Sequence, residues 1–247
     1  SLILSRIKVY KCAVNKVFKK IIVKKNNKIL KIFKQLIKYD TPTICNALEL
    51  LDPKCRNQGY TKKEFFCLNK NLPPIIGFVR TAKIFSNDKN KQMTLKQKKE
   101  YYQYMGNEKV PKICIVEDSN INPVGCFWGE VQTNIHKKLG FKGVITNGSI
   151  RDLDYAASNF QMLSRSVLPS HACLQLKSIG KAIKIFGEQF KHNDIVHADQ
   201  HGAVKIPLKY LEKLPEAIKQ VIKNEKPILD LCKGQKFSLK KLKDIIS

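Results

Sequence analysis

Apolar residues along this chain change their spacing from one stretch to the next, and each change marks an element. In "NKILKIFKQLIKY", Ile29, Ile32, Phe33, Leu36 and Ile37 recur at helical spacing with lysines between them, which predicts a basic amphipathic helix. At "DTPTICNALELL" a second helix begins. Asp40 or Thr41 can cap it, Pro42 sits where a first-turn residue needs no N–H, and Ile44, Leu48 and Leu51 form its apolar face. "PPIIGFVRTAKIF" and "KICIVED" read as strands on either side of the helical "TLKQKKEYYQYM". "GCFWGEVQTNIHKKLG" reads as a loop opening into a helix that Gly140 ends, followed by a strand at "KGVITNG", a turn into "SIRDLDYAASN" and a strand at "QMLSRSV". Strand and helix alternate here, so part of the sheet is expected to be parallel with crossover helices. Short strands divided by Gly and Asn-Asp turns follow in "KAIKIFGEQFKHNDIVHADQHGAVKIP", then a helix over 208–224. The pattern divides the chain into a basic extension (1–37), a folded core (38–224) and a lysine-rich tail (225–247), with no internal repeat.

Composition narrows the class. With 247 residues, 43% hydrophobic and 27% charged, the chain is long enough to bury a full core, and no apolar stretch approaches the roughly 20 residues that span a bilayer. The formal charge of +26 invites a nucleic-acid reading. Yet the excess is almost all lysine, spread along the whole chain beside many Asn and Ile, whereas phosphate and base recognition favours the guanidinium fork. A bias toward A+T-rich codons accounts for that composition, and a nucleic-acid partner is not expected. Residues 1–39 carry no Asp or Glu; they suit either a membrane-surface or targeting segment or an extension lying loosely on the core. The cysteines, 12, 45, 55, 67, 114, 126, 173 and 232, form no C-x-x-C and no Cys/His pair at zinc spacing, so free thiols in a reducing, cytoplasmic setting are expected.

Candidate chemistry concentrates between residues 129 and 152. Gly129 directly precedes a helix, so the N–H groups of Gly129, Glu130, Val131 and Gln132 emerge from its first turn and, with the helix dipole, favour an anion. Arg151 can clamp the same anion in two places, and Asp152 offers the oxygen ligands that Mg²⁺ or Mn²⁺ prefers. The bland alternative is a surface ion pair beside a common helix-opening glycine.

Glu130, twenty residues, then Arg151-Asp152 resembles the [D/E]-x20-R-D pattern of the metal-dependent 4-hydroxy-4-methyl-2-oxoglutarate aldolases and their relatives, the RraA regulators of ribonuclease activity. The resemblance extends through "DTPTICNALE", "GFVRTAKI", "FWGEVQTNIHKKLGFKGVITNGSIRDLD" and "HNDIVHADQHGAVKIP", over roughly residues 38–208. It implies an α/β fold of the RraA-like kind, an α/β/α sandwich with a swivelling β/β/α-type core, assembled as a homotrimer or homohexamer with sites between subunits. It implies that Asp152 holds the divalent metal (Mg²⁺, Mn²⁺ or another). Arg151 would hold the pyruvyl group, the amides of 129–132 the substrate carboxylate, and Glu130 a water near the metal. The implied activity is retro-aldol cleavage of a 4-hydroxy-2-oxo acid to pyruvate, with oxaloacetate decarboxylation through the same enolate. The rival is a non-catalytic regulator binding a ribonuclease or another partner. Proteins in that branch carry Gly in place of the first acid, so Glu130 favours the enzyme.

Other residues carry weaker signals. His171, in "LPSHA", could meet the distal end of a substrate, and His197 and His201 suit backbone-bonded histidines at a strand turn. Asp199 and Gly202 are expected to shape a tight turn, Asn147 and Gly148 a sharp strand end, and Trp128 a pocket wall or the core. Asp154, read as helical, would point away from Asp152, and His136 would pack or face solvent.

Overall fold

The computed structural model describes residues 27–87, 92–235 and 237–246. Residues 1–26, most of the expected basic extension, lie outside the described residues. Helix α1 (27–36) turns Ile32, Phe33 and Leu36 into a buried cluster with Ile44, Ala47 and Leu48 of α2 (Thr41–Leu51) and Leu214, Ala217, Ile218 and Val221 of α6 (Leu214–Lys233). The core therefore begins before residue 38, because the apolar stripe of the amphipathic helix has a place to be buried. Asp40 caps α2 by accepting from the Thr43 amide, with Pro42 in the first turn.

Eleven strands follow among the described residues: β1 (Phe66–Cys67), β2 (Ile75–Asn87), β3 (Lys112–Asp118), β4 (Cys126–Trp128), β5 (Phe141–Ile150), β6 (Gln161–Val167), β7 (Cys173–Ile179), β8 (Ile183–Ile185), β9 (Glu188–Phe190), β10 (Ile195–Asp199) and β11 (Gly202–Ile206). Nine form one sheet of order β1-β6-β5-β3-β2-β10-β11, with β4 added to β5 and β7 to β2; β8 and β9 make a separate hairpin. The β2-β3-β5-β6 centre is parallel, as the strand-helix alternation required, and the pairs to β7, β10 and β1 are antiparallel. The sheet curls into a half-barrel, which gives the RraA-like α/β architecture. Val79, Ile113, Ile115, Ile145 and Leu163 pack on one face with Ile183, Ile185 and Phe190 of the hairpin. The alternate residues Ala82, Ile84, Cys114, Val116, Val144 and Met162 pack on the other face with Tyr101 and Met105 of α3 (Leu95–Gly106).

Two buried cations fix α3. The Lys112 ammonium donates to the carbonyls of Met105, Asn107 and Glu108, closing the helix C-terminus, and burial lowers its pKa to about 8. Arg80, in the "GFVRTAKI" block, donates to Glu108 and Asn193. At the end of the chain, the helix expected over 208–224 is a short α5 (Leu208–Leu211) followed by α6, which continues to Lys233; α7 (Leu239–Ile246) follows. The stretch expected as a tail is thus helical. Pro227 does not stop α6, because it sits where the chain is exposed and water can satisfy the freed carbonyl.

Candidate active site

The two halves of the motif meet because β4 pairs in parallel with the far end of β5: Cys126 lies opposite Ser149 and Trp128 opposite Ile150. The Arg151 amide donates to the Trp128 carbonyl at 2.9 Å. One strand then runs through Gly129 into α4 (Glu130–Lys138), the other into Arg151 and Asp152. Asp152 adopts φ +54°, a left-handed conformation that Asp tolerates better than most residues. Its Oδ2 accepts the Glu130 amide at 3.1 Å. Gly129 is extended (φ −169°), which any residue could adopt; it is a glycine for room, since a Cβ there would collide with the Asp152 carboxylate.

These groups line a cleft of about 350 Å³ together with Lys98, Tyr101 and Tyr102 of α3, Cys126 and Phe127 of β4, Val131 and Gln132 of α4, and His171. Asp152 contributes the one carboxylate of the lining; Lys98 and Arg151 bring positive charge. Arg151 Nε stands 3.6 Å from Asp152 Oδ2, beyond a hydrogen bond, and each side chain is about one-third exposed. The Arg151 terminal nitrogens and Asp152 Oδ1 have no hydrogen-bond partner among the described residues. As first-turn amides, Val131 and Gln132 have no carbonyl within the helix to bond, and no side chain caps α4. The Glu130 side chain is exposed and lies outside the cleft lining.

A hydrogen-bonded layer fixes the α4 end from behind. Tyr102 and the Gln132 side chain bond each other through both amide atoms, at 3.0 and 3.1 Å. His136 Nδ1 lies 2.8 Å from the Gln132 carbonyl, which can only accept, so Nδ1 carries the proton and Nε2 takes the Tyr101 hydroxyl at 2.9 Å. Burial lowers the His136 pKa to about 4, so the ring is neutral near pH 7. Instead of facing solvent, His136 is fully buried against Trp128, Tyr101 and Phe141.

The sequence model of the RraA-like family, Aldolase/RraA, matches residues 41–205. The chain belongs to that family. No curated protein matches. Among solved structures, the RraA-like chain is similar to an uncharacterized protein from Pseudomonas syringae pv. tomato (17% identity, TM-score 0.67, 87% of this chain and 93% of that one). It is similar to a chain described under novel cellulases from gut-associated microbes (17%, 0.66, 79% and 86%). It is also similar to Streptomyces coelicolor RraAS2, described as an unusual member of the RNase ES inhibitor RraA family (16%, 0.63, 79% and 94%). At these identities the likeness establishes a shared fold alone.

The remaining residues of the RraA-like chain sort by position. His171 lines the cleft, placed by a parallel bridge to Cys126; Gly125 is needed there because a Cβ would strike the His171 and Ala172 backbone. Trp128 is core, 1% exposed, whereas Phe127 reaches the cleft. Asn147 and Gly148 do not end the strand. β5 runs on to Ile150 with a register shift between Thr146 and Ser149, and the Asn147 side chain both accepts from the Asp118 amide and donates to its carbonyl. Residues 151–160 are turns, so Asp154 sits on an exposed turn and not on a helix. His197 and His201 do not line the cleft: buried His197 bonds Thr41, and His201 bonds Asp199. Asp199 and Gly202 close the β10–β11 hairpin as expected, and Asp199 also accepts the Thr41 amide at the start of α2. Seven cysteines are free; Cys67, Cys114 and Cys126 are buried, Cys232 is exposed, and Cys12 lies outside the described residues. Among the described residues no group of three or more His, Cys, Asp or Glu forms a metal cage. Sequence reasoning missed Lys98 and Tyr102. Lys98 is one of several lysines in its helix, and the residue pattern alone does not mark which one reaches the cleft.

Proposed function

We propose that this chain is a divalent-metal-dependent lyase that cleaves a 4-hydroxy-2-oxo acid, such as 4-hydroxy-4-methyl-2-oxoglutarate, to pyruvate and decarboxylates oxaloacetate at the same site. The observation that carries this reading is the convergence of the open α4 amides, Arg151 and the Asp152 carboxylate on one cleft. The donors fit Mg²⁺ or Mn²⁺: such ions are commonly held by one or two carboxylates with water completing the shell, so a single carboxylate with an unengaged Oδ1 suffices. Asp152 would hold the ion directly and Glu130 through water. When bound, the ion acts as a Lewis acid on the 2-oxo group.

The amides of Val131 and Gln132 hold the substrate carboxylate, with the helix dipole behind them. Arg151 donates to the pyruvyl oxygens and stabilises the enolate as the C3–C4 bond breaks. Glu130 takes the C4 hydroxyl proton through a water and returns it the same way to C3 of the enolate, giving pyruvate; decarboxylation needs no such base, and there solvent water supplies the C3 proton. Lys98 and His171 face the distal part of the substrate. The assembly in this reading is a homotrimer or homohexamer, which light scattering measures.

The test is pyruvate release from both substrates with Mg²⁺ and with EDTA. Turnover is expected with the metal and abolished by EDTA. Asp152→Ala should lose it, and Arg151→Lys, which keeps charge but not the two-point grip, should fall by about 10²- to 10³-fold in kcat. Turnover that survives EDTA overturns the metal-dependent mechanism, and no turnover from folded protein overturns the lyase and leaves the regulator reading.

A further inference from the structure

The second half of α6 and all of α7 bury almost nothing: the last buried residue of α6 is Val221, and α7 has none. The two helices contact each other, with Ile228, Leu231 and Leu242 half-buried. At about 100° per residue, Leu239, Leu242, Ile245 and Ile246 fall on one side of α7, while Lys240, Lys241, Lys243 and Asp244 fall on the other. Leu242 sits at the middle of the apolar arc and is the part that α6 covers. The flanks are left in water: Leu239 is 62% exposed and Ile246 64%, with Phe237, Leu229 and Ile245 also exposed. An apolar stripe flanked by lysines suits an interface that is apolar inside and anionic at its edge.

We propose that the α6–α7 end of the chain docks peripherally on an anionic lipid bilayer. The flank of that arc that α6 leaves uncovered, Leu239 and Ile246, enters the boundary between headgroups and acyl chains, and Lys243, next to it around the helix, lies at the phosphates with Lys240 beyond it. A protein partner would need a long acidic groove with an apolar floor, whereas a bilayer surface supplies both properties without shape complementarity. No described helix is long and apolar enough to cross a membrane, so the contact is with the surface. A helix of eight residues buries little, which makes the attachment reversible and salt-sensitive.

The high overall charge makes the control essential. Full-length protein is floated with vesicles of phosphatidylcholine alone and of phosphatidylcholine with 30% phosphatidylglycerol. Wild type should float with the anionic vesicles only. L239S/I246S, which leaves the net charge unchanged, should lower partitioning about tenfold or more. K240Q/K243Q should weaken it and flatten its salt dependence, and both variants should keep the wild-type circular dichroism melt. Three results would overturn the proposal: no flotation of wild type, flotation of L239S/I246S equal to wild type, or a lower oligomeric mass for that variant in a protein that binds no vesicles. The second would assign the binding to general basicity, the third would make the face a contact between copies.

Discussion

Gly129 and Asp152 are close enough that one methyl group cannot fit between them, and this tests how tightly the site is set. Gly129→Ala faces no backbone penalty at φ −169°, so its effect should fall on the carboxylate it displaces. We expect kcat/KM for oxaloacetate to drop at least about tenfold, since displacements near 1 Å carry costs of that order or more, with a nearly unchanged melting curve. Unaltered kinetics would mean that the carboxylate position does not matter. The Glu130 side chain stays outside the cleft lining; at this scale the meeting of Arg151 and Asp152 with the start of α4 was legible, because their separation from Glu130 carries information. The left-handed turn of Asp152 was not, because the residue type permits that conformation without requiring it. Lys98 and Tyr102 reach the cleft through the packing of α3, a tertiary relation that no local pattern holds.

Among the elements, β5 shows why the sequence ended a strand too soon. Asn-Gly ordinarily marks a turn, yet here Asn147 uses its side-chain amide in place of a backbone pair to Asp118 while the register shifts beneath it. Asn147→Ala removes both bonds from a half-buried position and should destabilise the fold by about 1–3 kcal/mol in urea unfolding. No loss would show that water replaces the amide. The antiparallel β7 escaped notice for another reason: its residues are nearly all half-buried, so no clean alternation of polarity marks it. The apolar face of α1 was read correctly as a face, but the pattern could not tell that α2 and α6 bury it, and the lysine-rich stretch after residue 224 hid the continuation of α6 to Lys233.

For the whole molecule, two buried neutral histidines link stability to pH. His136 and His197 are each lowered by burial to about 4 from an ordinary 6.5. Above pH 6.5 both are neutral in either state and have no pH-dependent effect. Between 6.5 and 4 the unfolded chain binds their protons and the folded one does not, so stability falls with falling pH; below 4 their contribution levels off. The gap corresponds to roughly 3 kcal/mol per histidine at its full extent. Unfolding free energies at pH 7 and 5 should differ in that direction, and His136→Gln should reduce the slope. A pH-independent stability over this range would contradict the neutral assignment. The parallel centre of the sheet was legible as strand-helix alternation, but its curl and the order of strands across it, which brings β4 beside β5, were not.

That adjacency makes the segment from Gly129 to Asp152 a ring in all but covalent bonds: it leaves β4, passes through α4 and β5, and returns to where it began. The separation of twenty residues is then a circumference. Within β5 a one-residue insertion or deletion would reverse which face each later side chain takes, turning Arg151 away from the cleft. Length can vary without that cost chiefly at the turn around Leu139 and Gly140, where the left-handed glycine (φ +92°) already lets the chain change direction. A chain built on this ring is held to its count wherever the path runs through β5, and has slack only where it turns between α4 and β5.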